Sequence, residues 1–209
     1  MAKVLVVTSG KGGVGKTTTT AALGAALAQA GEKVVVVDFD VGLRNLDLVM
    51  GAERRVVFDF INVVQGDAKL QQALIRDKRL ETLCLLPASQ TRDKDALTEA
   101  GVAKVLEELR EKFDWVICDS PAGIERGEML KVDDVLEILS IPLLGIVPES
   151  EEVLRASNVG APVTLNSPVS APARAYMDAA RRLKGEALDI VIPKDRKSFI
   201  GKLFGRRAA

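Results

Sequence analysis

The sequence contains no histidine, and several other residue types are scarce. Without imidazole, histidine general bases and His-ligated zinc sites are excluded. Aromatic residues make up only 4% of the 209 residues, so a buried core must be built from Val, Leu, Ile and Ala. A chain of this length can form one domain with a sizeable core.

Cysteine is nearly absent. Cys84 and Cys118 lie far apart, each in an apolar, strand-like run. We interpret them as two reduced, buried thiols of a cytosolic protein.

Long apolar runs are also lacking. No run approaches the roughly 20 residues that a membrane-spanning helix needs, and the segment Met1–Val7 is too short for a signal peptide. We therefore expect a cytoplasmic protein. The formal net charge is zero, but six basic residues and one acidic residue follow position 193. The body of the chain is consequently acidic and its tail basic, an asymmetry that calls for a function.

Short β-branched runs alternate with helical patterns along the chain. Strands are predicted at residues 3–8, 33–37, 83–86, 115–118 and 143–147. Helices are predicted at residues 16–30, 56–65, 70–76, 98–112, 133–139, 151–156 and 173–184. This alternation predicts an α/β fold, an open and mostly parallel sheet with helices on both faces.

A phosphate-binding loop lies between the first predicted strand and the first predicted helix. Its pattern is G-x-x-x-x-G-K-[ST], which in this strand–helix context is a P-loop. Glycines let successive backbone N–H groups point at phosphate oxygens, and the helix N-terminus adds positive potential. The nucleotide-binding residues predicted from it are Gly10, Lys11, Gly12, Gly13, Val14, Gly15, Lys16, Thr17 and Thr18. Lys16 is suited to neutralise the β- and γ-phosphates, and the Thr17 hydroxyl to hold Mg²⁺.

Acidic residues follow two of the predicted strands. Asp38 and Asp40 end the second strand, and Asp119 ends the fourth. Ligands of open α/β sheets gather at the carboxyl ends of the strands. These three carboxylates are therefore candidates for the nucleotide site.

A second lysine, Lys11, gives the P-loop a resemblance to the deviant Walker A ATPases. The runs from Val36 to Gly51, Cys118 to Glu125 and Ile141 to Glu149 are similar to the MinD family within that group. The resemblance extends over nearly the whole chain and implies an ATPase that uses ATP and Mg²⁺ and dimerises when ATP is bound. It disfavours the chemistry of the nitrogenase iron protein, because neither cysteine lies in a suitable loop.

The same resemblance implies roles for the charged residues. Lys11 would reach the partner's nucleotide across the dimer interface, as an arginine finger does. Asp40 would orient the attacking water, so the implied catalytic residues are Lys11, Lys16 and Asp40. Asp119 would be the Walker B carboxylate and Asp38 would belong to the Mg²⁺ shell, so the implied metal residues are Thr17, Asp38 and Asp119.

The basic tail, residues 194–209, predicts a membrane-binding amphipathic helix that follows an ATPase domain of residues 1–193. Its apolar residues fall on one side of a helix, with basic residues around them. The membrane-binding residues predicted from this pattern are Lys197, Phe199, Ile200, Lys202, Leu203, Phe204, Arg206 and Arg207. One tail should bind anionic lipid weakly, and two tails held by an ATP-bridged dimer far better.

The resemblance to MinD breaks after Gly127, where Arg126-Gly127 runs straight into Glu128. Family members have a strand, a helix and a further strand at this place, including the residue that reads the adenine base. Because a parallel crossover takes a dozen or more residues, at least one βαβ unit is missing from the expected sheet.

The resemblance implies an ATPase that cycles onto the inner face of the cell membrane and regulates septum placement. Its implied partners are a MinC-like division inhibitor and a MinE-like activator. A ParA-like partitioning ATPase is an alternative, although it would need nonspecific DNA binding rather than a lipid anchor. A membrane-binding relic without ATP hydrolysis is the other alternative.

Overall fold

The structure of the protein is a computed structural model that describes residues 2–9, 12–90, 98–121 and 143–190. Within these ranges the strands are β1 (Lys3–Val7), β2 (Val34–Asp38), β3 (Ile75–Arg76), β4 (Leu83–Leu86) and β5 (Trp115–Asp119). They form one sheet in the order β1-β5-β2-β4-β3. All neighbouring pairs are parallel except β3 and β4. The predicted α/β fold with a mostly parallel sheet is confirmed.

β2 lies at the centre of this sheet. Its residues Val34–Asp38 are all buried, because the sheet is covered on both faces at this position. A strand without a solvent-exposed face favours a continuous run of β-branched residues over an alternating pattern. This explains why the four consecutive valines of β2 form a strand.

Helices cover the two faces of the sheet. They are α1 (Lys16–Gln29), α2 (Leu46–Val49), α3 (Phe60–Gln65), α4 (Leu70–Ala73), α5 (Glu99–Lys112), α6 (Glu151–Asn158), α7 (Val163–Asn166) and α8 (Ala171–Leu183). Helices α1 and α8 pack on one face, where they share a core with Val34, Val36 and Ile117. Helices α3 and α5 pack on the other face, against Val35 and Val37.

α1 approaches the sheet most closely at Gly24. A Cβ atom added there would lie 2.6 Å from Cγ1 of Val36 in β2. Both residues lie in a core region, and Val36 is fully buried. This glycine allows the helix that carries the P-loop to lie directly on the central strand.

We expect Gly24→Ala to lower the free energy of unfolding by about 1–2 kcal/mol. The added methyl group would force stiff, buried Val36 aside, and this cost exceeds the gain of about 1 kcal/mol in helix propensity. Urea unfolding of the two proteins measures the difference. In a Val36→Ala background the penalty should disappear, whereas stabilisation by Gly24→Ala in the parent would contradict the close approach.

Two of the predicted helices are shorter than their patterns indicate. The helix predicted at residues 56–65 begins only at Phe60, because Asp59 and Asn62 cap it by reciprocal side-chain hydrogen bonds of 3.0 Å. The helix predicted at residues 70–76 ends at Ala73, since β3 pairs antiparallel with β4.

An ion pair between buried Asp77 and half-buried Arg79 stabilises the turn between β3 and β4. The Asp77 N–H bonds the Leu83 carbonyl at 2.8 Å, and the Asp77 carboxylate pairs with the Arg79 guanidinium at 2.7 Å. Arg79 also donates to the carbonyls of Met50 and Gly160. The turn places β4 beside residues 75–76, and pairing with β4 makes these two residues a strand.

The strand predicted at residues 143–147 is wrong, because residues 143–150 have no regular secondary structure. The carbonyl of Leu144 accepts a hydrogen bond from the Arg182 side chain at 3.1 Å instead of bonding a neighbouring strand. An apolar run becomes a strand only where another strand can pair with it. In the described part of the chain, no strand pairs with this segment.

β1 forms an edge of the sheet within the described ranges. Its valines Val4 and Val6 are 45% and 57% exposed, unlike those of β2. An exposed apolar edge is what the removal of a neighbouring βαβ unit would leave behind. The predicted point of removal, after Gly127, and the helix predicted at residues 133–139 lie outside the described residues.

The two cysteines differ in burial. Cys118 is buried in β5, as predicted, but Cys84 in β4 is only partly buried, and both are free thiols. β3, which borders β4, is only two residues long and leaves part of that edge open. In the described part of the chain, no helix is long and apolar enough to cross a membrane.

Candidate functional site

The carboxyl ends of three strands come together beside the start of α1. The Ser120 N–H bonds the Val7 carbonyl at 3.1 Å, and the Phe39 N–H bonds the Asp119 carbonyl at 3.0 Å. Asp38 and Asp119 occupy paired positions on β2 and β5. The fold therefore brings together the two strand-end carboxylates that were far apart in sequence.

The P-loop leads from β1 into α1, as predicted. Gly13 and Gly15 have φ angles of 72° and 90°, in the left-handed region that favours glycine. α1 begins at Lys16 directly after this turn, so the positive N-terminal end of the helix lies at the P-loop, where an anion can bind. Lys16 Nζ donates to the Ser9 hydroxyl at 3.0 Å. Gly10 and Lys11 lie outside the described residues.

The first turn of α1 carries consecutive threonines whose hydroxyl groups have different partners. The Thr17 hydroxyl bonds the Asp119 carboxylate. Thr18 Oγ1 donates to the Gly15 carbonyl at 2.8 Å, and Thr20 Oγ1 donates to Asp119 Oδ1 at 3.3 Å. Asp119 thus lies at the N-terminal turn of the P-loop helix, where the Walker B assignment requires it.

Asp38 is fully buried. Burial raises its pKa from 3.8 to about 7. The N–H groups of Asp40 and Leu46 donate to it at 2.8 and 3.3 Å and oppose that increase. The neighbouring carboxylates Asp119 and Asp40 increase it further.

Asp119 is 1% exposed, and burial raises its pKa as well. The Thr17 and Thr20 hydroxyls lower that pKa, Asp40 raises it, and Lys16 lowers it. Asp40 itself is only partly buried and lies on the solvent side of this pair. The site consequently concentrates negative charge that the side chains around it do not fully neutralise.

These residues fit a magnesium ion with a nucleotide. Buried carboxylates in proteins are paired or coordinate a metal ion, and Asp38 and Asp119 face each other without a full counter-charge. Among the described residues, no group of three or more His, Cys, Asp or Glu side chains could hold a metal ion. Mg²⁺ typically uses one or two carboxylates together with waters and substrate phosphates. Asp119 and Thr17 supply protein oxygens beside the P-loop, with Asp38 adjacent.

We expect the nucleotide-free, magnesium-free protein to lose stability as the pH rises from about 5 to about 8. Between the unfolded pKa of 3.8 and the folded pKa of about 7, Asp38 holds a proton in the native state that the unfolded chain releases. Raising the pH therefore favours unfolding, by about 4 kcal/mol over the whole range from 3.8 to about 7 and by about 3 kcal/mol between pH 5 and 8, at about 1.4 kcal/mol per pKa unit. Urea unfolding in EDTA at several pH values measures this slope.

Asp38→Asn should flatten much of the slope and make the variant more stable than the parent at the alkaline end. A residual slope is expected, because burial also raises the pKa of Asp119 and of Asp47. Glu107→Gln, at an exposed position on α5, is the matched control for the loss of one carboxylate, and we expect the same slope as in the parent. An equal slope in the parent and in Asp38→Asn would contradict the role given to burial.

The structure describes most of the predicted nucleotide-binding and metal residues, but none of the predicted membrane-binding residues. The membrane-binding residues, from Lys197 to Arg207, lie outside the described ranges, as does Lys11. Motif reasoning missed two residues that contact the site, Ser9 on Lys16 and Thr20 on Asp119. Their only sequence signal is position: Ser9 directly precedes the P-loop, and Thr20 lies one helical turn after Lys16.

A family model described as the CobQ/CobB/MinD/ParA nucleotide binding domain matches residues 5–163. The septum site-determining protein MinD of Escherichia coli K12 is 47% identical over an alignment of 270 residues, which covers 98% of this chain and 100% of that protein. That alignment is longer than the chain itself. The chain therefore lacks residues that the relative has.

Solved structures of the same group are also similar. A MinC:MinD cell division protein complex of Aquifex aeolicus contains a chain that matches with a TM-score of 0.78 at 34% identity, covering 93% of this chain and 99% of that one. A MinD from Pyrococcus horikoshii, complexed with Mg-ADP, matches with a TM-score of 0.77 at 25% identity. It covers 88% of this chain and 97% of that one.

Proposed function

This chain belongs to the MinD branch of the CobQ/CobB/MinD/ParA nucleotide-binding domain family, and we propose that it is a membrane-cycling ATPase. In this proposal, ATP binding produces a dimer that attaches to the inner face of the cell membrane. The attached dimer recruits a division inhibitor and so regulates septum placement. Hydrolysis then returns the protein to the cytoplasm.

The observation that carries the proposal is the meeting of the P-loop with two buried carboxylates. Asp119 bonds Thr17 and Thr20 in the first turn of α1, and Asp38 lies beside it on β2. The P. horikoshii relative is a complex with Mg-ADP. ATP and Mg²⁺ are the cofactors of this site, and the bound ion supplies positive charge at the phosphates.

Different residues of the chain have different roles in ATP hydrolysis. Lys16 binds and neutralises the phosphates, and the N-terminal end of α1 orients them. Asp40, on the solvent side of Asp38 and Asp119, orients the attacking water. Lys11 is delivered by the second protomer, so hydrolysis requires the dimer.

The C-terminal tail supports membrane attachment by its composition. Phe199, Ile200, Leu203 and Phe204 give it an apolar side, and basic residues surround them. The free energy of forming a helix from a single short tail in water is unfavourable. Two tails on one dimer bind with a raised effective concentration, so ATP controls attachment.

An exposed apolar surface beside the site supports docking of a protein partner. Helices α2 and α6 contact each other and carry Leu48 and Leu154, which are 51% and 65% exposed. Exposed apolar side chains on two contacting helices are candidates for an interaction site, and we propose that a protein partner docks there. The A. aeolicus relative was solved as a MinC:MinD complex. A MinC-like inhibitor and a MinE-like activator are the proposed partners.

An ATPase assay with and without anionic liposomes and MinE tests the proposed function. We expect ATP turnover that rises when liposomes and MinE are both present, because membrane-bound dimers are the form on which the activator acts. The variant Phe199→Glu with Phe204→Glu is the matched control. It should bind nucleotide normally but lose the response to liposomes.

A hydrolysis-deficient, membrane-binding relic is a second candidate, favoured by the exposed edge strand β1 and by the residues missing relative to the family. For such a relic we expect the tail to bind lipid, and we expect no ATP turnover under any condition. Retention of the protein on DNA, with no binding to liposomes, would instead favour a ParA-like partitioning ATPase.

A further inference from the structure

One threonine hydroxyl in the first turn of α1 bonds a residue outside the nucleotide site. Thr17 and Thr20 bond Asp119, and Thr18 bonds Gly15, but Thr19 Oγ1 lies 2.9 Å from the hydroxyl oxygen of Tyr176 in α8. The two residues are 157 positions apart in sequence. The contact is therefore a property of the tertiary fold and of no local motif.

Thr19 is closely tied to the P-loop through its backbone. Its N–H bonds the carbonyl of Gly15 at 2.9 Å, which closes the first turn of α1 on the last glycine of the loop. Gly15 has a φ of 90°, so the loop enters α1 through the left-handed conformation that favours glycine. A group that holds Thr19 therefore also holds the turn whose N–H groups point to the phosphates.

Tyr176 is well placed to hold Thr19 rigidly. It is 5% exposed, and it lies on the face of α8 that also buries Ala173, Ala179 and Ala180. This face packs against α1, where Ala22 and Ala26 are buried as well. Small side chains allow the two helices to approach closely, so the Tyr176 ring has little freedom to move.

The C-terminal ends of α1 and α8 are also joined by a hydrogen bond and an ion pair. Lys184 Nζ, directly after α8, donates to the Ala30 carbonyl at 3.0 Å and pairs with Glu32 at 2.9 Å. α8 is thus attached near both ends of α1. Tyr176 is the attachment at the nucleotide end.

We propose that Tyr176 is a positioning residue for nucleotide binding: its hydroxyl holds Thr19 and thereby fixes the first turn of α1 in the conformation that binds phosphates. The inference rests on the proposed function, because it assumes that Mg-nucleotide binds at the P-loop. Burial also raises the pKa of the phenol, so the hydroxyl keeps its proton at neutral pH and can donate or accept.

Isosteric variants test the inference. Tyr176→Phe and Thr19→Val each remove one hydroxyl and keep the packing. Each should weaken Mg-ADP binding about fivefold, the equivalent of one neutral hydrogen bond. The double variant should be no weaker than either single variant, because both remove the same bond. In turnover, KM for ATP should rise while kcat changes less than about twofold, since the contact acts on binding.

Thr164→Val is the matched control. The Thr164 hydroxyl of α7 also donates to α1, at the Ala22 carbonyl at 3.2 Å, but about one turn farther from the P-loop. Its loss should lower the thermal unfolding midpoint about as much as Tyr176→Phe does, while leaving Mg-ADP affinity unchanged. Calorimetric titration with Mg-ADP and thermal unfolding without nucleotide provide the two readouts.

Unchanged Mg-ADP affinity in Tyr176→Phe would overturn the inference. An equal loss of affinity in Thr164→Val would overturn it too, because the effect would then reflect general stability. If the parent chain does not bind Mg-ADP, the proposed function itself fails and the inference fails with it. Additive effects of Tyr176→Phe and Thr19→Val on the unfolding midpoint would show that the two hydroxyls are not partners.

Discussion

Lys16→Ala is expected to weaken Mg-ATP binding by at least about 100-fold, the largest single effect in the nucleotide site. Lys16 lies at the first position of α1, beside the P-loop turn, and its ammonium group donates to Ser9. A phosphate group bound there would lose its main counter-charge in a site that already holds the carboxyl groups of Asp38 and Asp119. Equilibrium binding of labelled ATP measures the change.

Lys104→Ala is the matched control for Lys16→Ala. Lys104 is exposed on α5, which packs on the other face of the sheet, and its removal changes the net charge by the same amount. The control should bind Mg-ATP like the parent. Unfolding curves for both variants separate loss of binding from loss of fold. Mg-ATP affinity of Lys16→Ala within a few-fold of the parent would contradict the P-loop assignment.

Asp40→Ala is expected to slow ATP hydrolysis by at least about 100-fold while leaving Mg-ATP affinity nearly unchanged. The Asp40 N–H donates to Asp38, and this backbone contact survives the substitution. Removing the Asp40 carboxylate also relieves the repulsion that raises the pKa of Asp38 and of Asp119. The variant therefore keeps its magnesium residues and loses only the group proposed to orient water.

ATP-bound Asp40→Ala dimers should consequently accumulate on anionic liposomes, because attachment proceeds and release does not. Single-turnover hydrolysis and liposome sedimentation measure the two halves of this expectation. Asp40→Asn keeps the shape of the side chain and should resemble Asp40→Ala if the charge is what matters. A turnover rate equal to that of the parent would remove Asp40 from the catalytic residues.

The strands beside the nucleotide site could be predicted from sequence because their signals are local. The valines of β2 form a continuous β-branched run, and the P-loop glycines occupy the turn that their pattern requires. The carboxyl ends of parallel strands meet at one edge of a sheet, and this rule predicted that Asp38 and Asp119 would lie together. Their common position could therefore be predicted from the motifs alone.

Features that depend on a distant partner could not be predicted in this way. Residues 143–147 have the apolar pattern of a strand, but the carbonyl of Leu144 bonds Arg182, and no neighbouring strand in the described part of the chain pairs with it. Ile75–Arg76 continue a helical pattern, yet pairing with β4 makes them a strand. The contact of Thr19 with Tyr176 has no sequence signal, because each residue alone is compatible with an ordinary helix.

Because a segment is missing, selectivity for the nucleotide base is the property that we expect to differ most from that of the family. The resemblance to the family implies that the residue that reads adenine belongs to the segment missing after Gly127, and this stays a prediction. Phosphate and Mg²⁺ contacts are charge-assisted and do not depend on the identity of the base. Binding should therefore persist through residues 10–18 and the carboxylates, but with reduced affinity and little discrimination between ATP and GTP.

Competition binding tests the central claim most directly, that the P-loop, Asp38 and Asp119 form a working Mg-nucleotide site in this shortened chain. Labelled ATP is titrated with the parent protein in Mg²⁺ and in EDTA, and then displaced by unlabelled ATP or GTP. The account predicts saturable binding that requires Mg²⁺ and that both nucleotides displace at similar concentrations. Failure of labelled ATP to bind in Mg²⁺, or equally strong binding in EDTA, would contradict it.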